Sequence, residues 1–377
     1  MESFYYKQPV PIDFGFGKLS RLPDILDQMN VDRGLLISAP SMMRSGIASR
    51  VVEQSNGRIV GIFSAIQPNP TVLNTDTCAA MLREYQCTFA IALGGGSVMD
   101  CAKAACFVAD TPYSAADFLS GERKIDHAGI PLIAVPTTSG TASEVTTASV
   151  LTDTERGVKA LLASDYLYPV YALVDPDLTT TCPPQVTAAS GFDVLAHSLE
   201  AYYGKKHQPL TDLAAERAAR LVFDYLLTAY HEPGNKEARA KMSEASVTAG
   251  LAFGITQTAA AHACSYPLTQ DYRIPHGDAC AFTLPSFWRL NSSEGTEVER
   301  LQAFSKRLGF KDSAALADRM DAMKKEMQLH TTLEEAGVTS TDLDDLVGKS
   351  FAPNMNNNPV EITKERLKTL YQNLSEF

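Results

Sequence analysis

No block of like charges, no CxxC pair and no apolar run of membrane-spanning length occurs in this chain of 377 residues. The formal net charge is −11, so phosphate backbones meet no general attraction and nucleic acid is not an expected partner. Apolar stretches are broken by Gly, Ser, Thr or charge well short of the roughly 20 residues a spanning helix needs, so no membrane is expected either. The cysteines are Cys78, Cys87, Cys101, Cys106, Cys182, Cys264 and Cys280. Their odd number and scatter argue against a disulfide framework and against a thiolate zinc site. The opening segment MESFYYKQPVPIDFGFG has no basic stretch followed by an apolar core, unlike a secretory leader. A reducing cytoplasm is the expected compartment. No low-complexity tract and no fixed-period repeat is visible.

What is present is ordinary globular composition, 45% hydrophobic and 20% charged, at a length that suggests two domains. From Arg33 to Asp177 short apolar runs alternate with helical spacing. Gly34–Ser38, Arg58–Phe63, Phe89–Leu93, Pro131–Val135 and Val170–Val174 read as buried strands, and Thr71–Gln86 as a helix. Continuous apolar strands separated by helices predict an α/β domain with a parallel sheet covered on both faces. After Pro183-Pro184 the pattern becomes helical throughout: Thr187–Tyr203, Asp212–Tyr230, Ala238–Ala263 and an amphipathic tail from Ser292 to Phe377. The boundary falls near Cys182. The expected domains are 1–182, α/β and nucleotide-binding, and 183–377, all-α.

The run FAIALGGGSVMDCAKAA combines a strand, a turn of three glycines and a helix. Ser97 suits an N-cap, and Asp100 three residues later completes a capping-box pattern. Backbone amides at such a helix start, aligned with its dipole, form an anion site suited to a pyrophosphate. A tight turn without ligand explains glycines equally well, and the pattern is not GxGxxG. A second segment, Pro136 to Glu144, offers hydroxyls and a glycine directly after a strand, where ribose and phosphate oxygens could bind; a polar capping loop is the alternative. Two such edges in one sheet favour the nucleotide.

The chain has seven histidines, so their placement is informative. Asp193 and His197 are spaced i, i+4 in GFDVLAHSLEAYYG and share a helix face, while Phe192, Leu195 and Leu199 suit packing on the other. Alone, that pair reads as an ion pair. His262 lies within a charge-free run from Thr248 to Ala263, which predicts a buried helix; a hydrogen-bonded core histidine is its ordinary reading. His276 follows in a loop. Together, one carboxylate and three imidazoles suit Fe2+ or Zn2+ with positions open to water or substrate. His127, His207, His231 and His330 have polar neighbours and no partner at ligand spacing, and are expected to be solvated. Cys264 reads as a small core residue.

These residues resemble the iron-containing alcohol dehydrogenase family. The motifs GGGSVMD (94–100), PTTSGTASE (136–144), DPDLT (175–179), GFDVLAHSLEAY (191–202) and HACSYPLTQDYRIPHG (262–277) follow one another in the family's order, and Asn357-Asn358-Pro359 is similar to its terminal pattern. The resemblance implies a dehydroquinate-synthase-like fold, an NAD or NADP cofactor, and one divalent metal, Fe2+ with Zn2+ as the other candidate. It implies Asp193, His197, His262 and His276 as ligands. It also implies cofactor contacts from Gly95, Gly96, Ser97, Asp100, Thr137, Thr138, Thr141 and Lys159, and a homodimer or larger assembly.

Two positions depart from the family's pattern. After the first buried strand the chain continues Ala39-Pro40, where the family often has an acidic residue facing the adenosine ribose; with Arg44 nearby, NADP becomes credible. Four residues after His262 stands Tyr266, where a second histidine is common. Tyr266 is expected to contact substrate, but it does not titrate near neutral pH, which puts the family's proton path in doubt.

The expected reaction is reversible hydride transfer between nicotinamide and a primary alcohol or its aldehyde, with the metal polarising the substrate oxygen. Substrates carrying a carboxylate, phosphonate or sulfonate are candidates alongside plain alkyl ones. The rival readings are a dehydroquinate-synthase-type lyase or cyclase using NAD transiently, and a nucleotide-binding protein without turnover.

Overall fold

The computed structural model describes residues 3–375; Met1, Glu2, Glu376 and Phe377, at the ends of the expected domain ranges, lie outside the described residues. The chain forms two compact units. One comprises residues 8–181, and the other residues 182–375 with the opening residues 3–7.

The first unit contains strands β1 (Ile12–Phe14), β2 (Gly34–Ser38), β3 (Ile59–Phe63), β4 (Phe89–Gly94), β5 (Leu132–Pro136), β6 (Ala148–Asp153), β7 (Val158–Ala163) and β8 (Tyr171–Val174). Six of them form one sheet in the order β1-β8-β5-β4-β2-β3, parallel throughout. Helices α1 (Leu22–Met29), α2 (Pro40–Arg44), α3 (Ile47–Gln54), α4 (Val72–Glu84), α5 (Gly96–Val108) and α6 (Ala115–Leu119) accompany it. The apolar strands are continuous because side chains alternate between two cores. Leu35, Ile37, Ala90, Ala92 and Ala134 pack on one face, and Leu36, Ile91, Leu93, Ile133 and Val135 on the other.

The five expected strands are all present. The structure adds the short edge strand β1 and an antiparallel hairpin, β6–β7. That hairpin turns through Gly157 at φ 68°, and β6 alternates half-buried and buried positions, a weaker signal than the buried runs. From β2 the chain moves outward to β3, and from β4 it moves the other way to β5. The switch point therefore lies beyond the carboxyl ends of β2 and β4, where open parallel sheets bind ligands.

The second unit holds α7 (Pro184–Tyr203), α8 (Pro209–His231), α9 (Lys236–Thr256), α10 (Ala260–Asp271), α11 (His276–Ser293), α12 (Val298–Arg307), α13 (Ser313–Glu326), α14 (Leu343–Lys349) and α15 (Lys364–Gln372), and no strand among its described residues. Helix α7 packs against α8, α9 and α11, which explains its burial on nearly every side. The expected continuous helix over Ala238–Ala263 is in fact two. α9 ends at Thr256, Gln257 takes φ 65°, and a new helix starts at Ala260. None of the described helices is long and apolar enough to cross a membrane.

Candidate functional site

Asp193 and His197, one turn apart on α7, meet the first turns of two other helices: His262 from α10 and His276 from α11. Asp193 Oδ1 is the hub. It lies 3.5 Å from His262 Nε2, 3.8 Å from His276 Nε2 and 3.8 Å from His197 Nδ1. The approach of α11 depends on Gly277. A Cβ there would lie 2.0 Å from the Ala189 carbonyl oxygen and 3.0 Å from Asp193 Cβ, so a side chain would force the two helices apart. His197 stacks on Phe253 at 3.8 Å and on His262 at 4.5 Å between ring centroids.

Asp193 Oδ1 and His262 Nε2 are buried and find no hydrogen-bond partner among the described residues. Buried polar atoms are normally satisfied, and here the orphans face one another inside a ring of imidazoles. Burial alone would raise the Asp193 pKa, but His197, His262 and His276 hold its carboxyl well below the usual range. A carboxylate and imidazoles converging on unfilled valences fit a divalent cation.

Glu200, fully buried two turns after Asp193, sets the position of His262. Its carboxylate accepts from the amides of Ala259 (2.8 Å), Ala261 (2.7 Å) and His262 (3.2 Å), and lies 2.6 Å from His262 Nδ1. It therefore caps α10 and, by holding Nδ1, leaves Nε2 directed at Asp193. Carboxylates behind a ligand histidine fix its tautomer and raise its basicity.

In the first unit, β4 and β5 pair with Gly94 opposite Pro136, so the glycine turn and the hydroxyl loop leave adjacent strands side by side. A Cβ on Gly95 would meet Thr138 Oγ1 at 3.0 Å, and one on Gly96 would meet Thr141 Cγ2 at 2.7 Å. The Ala39 amide reaches the Leu93 carbonyl at 3.2 Å, placing the end of β2 beside this turn at the switch point. Two expectations need correction. Ser97 is not the N-cap of α5: Gly95 occupies that position without a side-chain bond, because the glycine turn itself brings the chain into the helix. Asp100 therefore closes no capping box; its Oδ1 accepts from Ser143 Oγ at 3.3 Å.

Lys103, buried on α5, ties that helix to the loop. Its ammonium donates to Ser143 Oγ (2.8 Å) and to the carbonyls of Thr146 (2.7 Å) and Ala148 (2.9 Å). Burial brings its pKa down to about 8 against the pull of Asp100 and Glu144. Burial likewise pushes Asp100 up to about 6 and Glu144 up to about 7.

A family model described as iron-containing alcohol dehydrogenase matches residues 9–176, and one described as the C-terminal part of the Fe-containing alcohol dehydrogenase family matches residues 187–375. The chain belongs to the iron-containing alcohol dehydrogenase family. Among solved members of similar fold is sulfoacetaldehyde reductase from Bifidobacterium kashiwanohense in complex with NAD+, 43% identical over 99% of each chain with a TM-score of 0.96. The iron-containing alcohol dehydrogenase of Thermotoga maritima is 30% identical over 99% of each chain with a TM-score of 0.86. The NADPH-dependent butanol dehydrogenase of Clostridium saccharobutylicum is 30% identical over 97% of this chain and 96% of that one.

As an oxidoreductase of this family, the chain brings Gly95, Gly96, Ser97, Thr137, Thr138 and Thr141 together at one sheet edge. Lys159 stands on β7 with its ammonium 2.8 Å from Asn69 Oδ1. The Tyr266 hydroxyl is anchored by Asn354 Nδ2 at 3.3 Å, and burial raises its pKa. His330 is not simply solvated: its Nδ1 lies 2.6 Å from Asp278 Oδ2, on the helix that carries His276. His127, His207 and His231 also have carboxylate partners. Cys264 is buried, as its core role requires. A groove of about 1630 Å3 in the second unit, lined by Arg289, Asp321, His330 and Arg366 among others, contains none of the expected site residues. Sequence reasoning missed Glu200, and Cys280, whose sulfur lies 3.8 Å from His276 Nε2. The spacing signal existed: Glu200 is seven residues from Asp193, and Cys280 four from His276.

Proposed function

We propose that this enzyme interconverts a primary alcohol and its aldehyde by hydride exchange with NAD or NADP, at a single divalent metal. Asp193, His197, His262 and His276 would hold the metal, and the orphaned Asp193 Oδ1 among three imidazoles is the observation that carries this reading. When bound, the cation supplies Lewis acidity that lowers the pKa of an alcohol and polarises a carbonyl. The chain's own residues do the rest. Asp193 contributes negative charge, Glu200 holds His262 in one tautomer, and Gly277 lets α11 come close enough to deliver His276. In the first unit, Gly95, Gly96 and Ser97 present bare amides to a pyrophosphate at the start of α5. Thr137, Thr138, Thr141, Asp100 and Lys159 supply the remaining cofactor contacts, and Tyr266 serves as a substrate contact. The first unit is thus the cofactor domain, and the helical unit the metal and substrate domain.

Similarity to a sulfoacetaldehyde reductase at 43% identity favours aldehydes with an anionic group. The deciding experiment assays sulfonated, carboxylated, phosphonated and plain alkyl aldehydes with NADH and NADPH, on chelator-stripped protein and after reloading with Fe2+ or Zn2+. Activity restored by metal and abolished in His276→Ala supports the proposal; activity undiminished by stripping refutes it. We further infer a homodimer or larger assembly, which sedimentation analysis of the intact chain tests directly.

A further inference from the structure

Asn354, in the turn Pro353–Asn357, reaches a tyrosine 88 residues away in the chain. Its Nδ2 lies 3.3 Å from the Tyr266 hydroxyl, 3.0 Å from Thr258 Oγ1 and 3.2 Å from the Ala259 carbonyl oxygen. A carbonyl only accepts, so it is the amide nitrogen of Asn354 that faces this cluster. An amide nitrogen accepts nothing, and neither hydroxyl can send its proton back to it. Burial raises the Tyr266 pKa, and Thr258, as a donor to the phenol oxygen, opposes the rise. Both neighbours thus give protons to that oxygen. Among the described residues no acceptor takes the phenol's own proton.

Tyr266 stands one turn after His262 on α10 and shares its helix face. One turn rises about 5.4 Å, close to the reach of a two-carbon aldehyde from its carbonyl oxygen to an acidic group on the second carbon. Tyr266, Thr258 and Asn354 are each half-buried, so these donors border open space rather than core. Two cations flank them. Lys206 Nζ donates to Gln257 Oε1, beside Thr258, and Lys205 Nζ donates to the Asn356 carbonyl at 3.0 Å, close to Asn354. Neither ammonium has a carboxylate partner among the described residues. In a chain of net charge −11, this corner combines outward donors with positive charge.

We propose that Tyr266 and Thr258 bind an acidic group carried by the substrate, a sulfonate or a carboxylate, and that Asn354 is a positioning residue that turns the Tyr266 proton toward it. The inference rests on the hydride-transfer reading above and gives it a substrate class. Such an acid has acceptor oxygens and, at neutral pH, no proton to donate, which suits a cluster of donors alone. A plain alkyl aldehyde leaves the same donors without acceptors, and a site built to hydrogen-bond its substrate discriminates strongly against the analogue that cannot.

Metal-reloaded full-length protein is assayed with NADH and NADPH on a sulfonated two-carbon aldehyde, its carboxylated counterpart and an alkyl aldehyde of similar length. Asn354→Asp keeps the side-chain shape, removes both N–H donors and supplies an acceptor that draws the Tyr266 proton back. The ratio of kcat/KM for acidic over alkyl substrate is expected to fall about 100-fold, mostly through KM. Tyr266→Phe, which keeps the ring, should lower the ratio about tenfold. The acid whose ratio falls further is the one the cluster serves. A ratio unchanged in both variants marks a merely structural role and overturns the proposal. Wild type that prefers the alkyl aldehyde to both acids overturns it too, whether or not any variant folds. If no aldehyde is reduced, the hydride-transfer reading fails and ethanesulfonate decides by calorimetry on protein loaded with Zn2+ and NAD+. Binding that weakens tenfold or more in Tyr266→Phe upholds the cluster as an anion site; no binding, or equal binding in wild type and variant, overturns it.

Discussion

The Glu200 carboxylate grips His262 from behind, 2.6 Å from Nδ1, while accepting three backbone amides at the start of α10. One buried side chain thus serves as helix cap and as orienter of the imidazole that faces Asp193. Glu200→Gln replaces one acceptor oxygen with a donor, and metal affinity is expected to fall by about 10- to 100-fold, read by chelator competition. Glu200→Ala strands all three amides and is expected to cost about 3 kcal/mol or more in chemical denaturation. Unchanged metal affinity in Glu200→Gln would show that Glu200 acts only as a cap.

Lys103 neutralises a buried region that holds Asp100 and Glu144. Lys103→Met removes three hydrogen bonds and leaves the two carboxyls without their cation. A loss of about 3–5 kcal/mol in urea denaturation is expected. Adding Asp100→Asn to that variant should recover part of the loss, since the two side chains act as one network. Strict additivity would contradict the coupling.

Glu144 carries a pH signature. Its folded-state pKa is pushed up by burial from 4.5 to about 7, so between those values the native state holds a proton that the unfolded chain has released. The contribution to stability is full below the lower value and is lost as pH rises through the upper one. Glu144→Gln cannot ionise. Between roughly pH 5 and pH 8 the wild-type melting temperature should therefore drop by several degrees more than that of the variant. Parallel profiles would mean that the carboxylate is charged throughout.

A Cβ on Gly96 would lie only 2.7 Å from Thr141 Cγ2, closer than van der Waals contact allows. Gly96→Ala is expected to displace the Thr141 side chain and weaken NADH binding about tenfold or more, followed by nicotinamide fluorescence. Zinc affinity should stay within a factor of about two, because the proposed ligands belong to the other unit. A variant that binds NADH normally would remove this turn from the cofactor site.

Much of this architecture is legible in one sequence because it is written in short-range patterns. Leu35, Leu36 and Ile37 announce a strand buried on both faces, and the Asp193–His197 spacing survives directly as a shared helix face. What was not legible depends on contacts between distant segments. The run over Ala238–Ala263 has uninterrupted helical character, and the break is made by distant partners: Asn357 donates to the Thr256 and Thr258 carbonyls after α9, and the Glu200 carboxylate, arriving from α7, accepts the first amides of α10. Cys280 looked like one more scattered thiol until the approach of α11 to α7, allowed by Gly277, set it beside His262. The alternation in β6 was too faint to stand out beside fully apolar strands.

The interruption at Gln257 also decouples two parts of the molecule. Had α9 run on through His262, each residue inserted or deleted upstream would have rotated the imidazole by about 100°. Because Glu200 clamps the first amides of α10, the angular phase of His262 is set afresh at Ala259. Length changes in α8, α9 or their connection are thereby filtered out before they reach the histidine, leaving the helical scaffold free to diverge around a fixed centre.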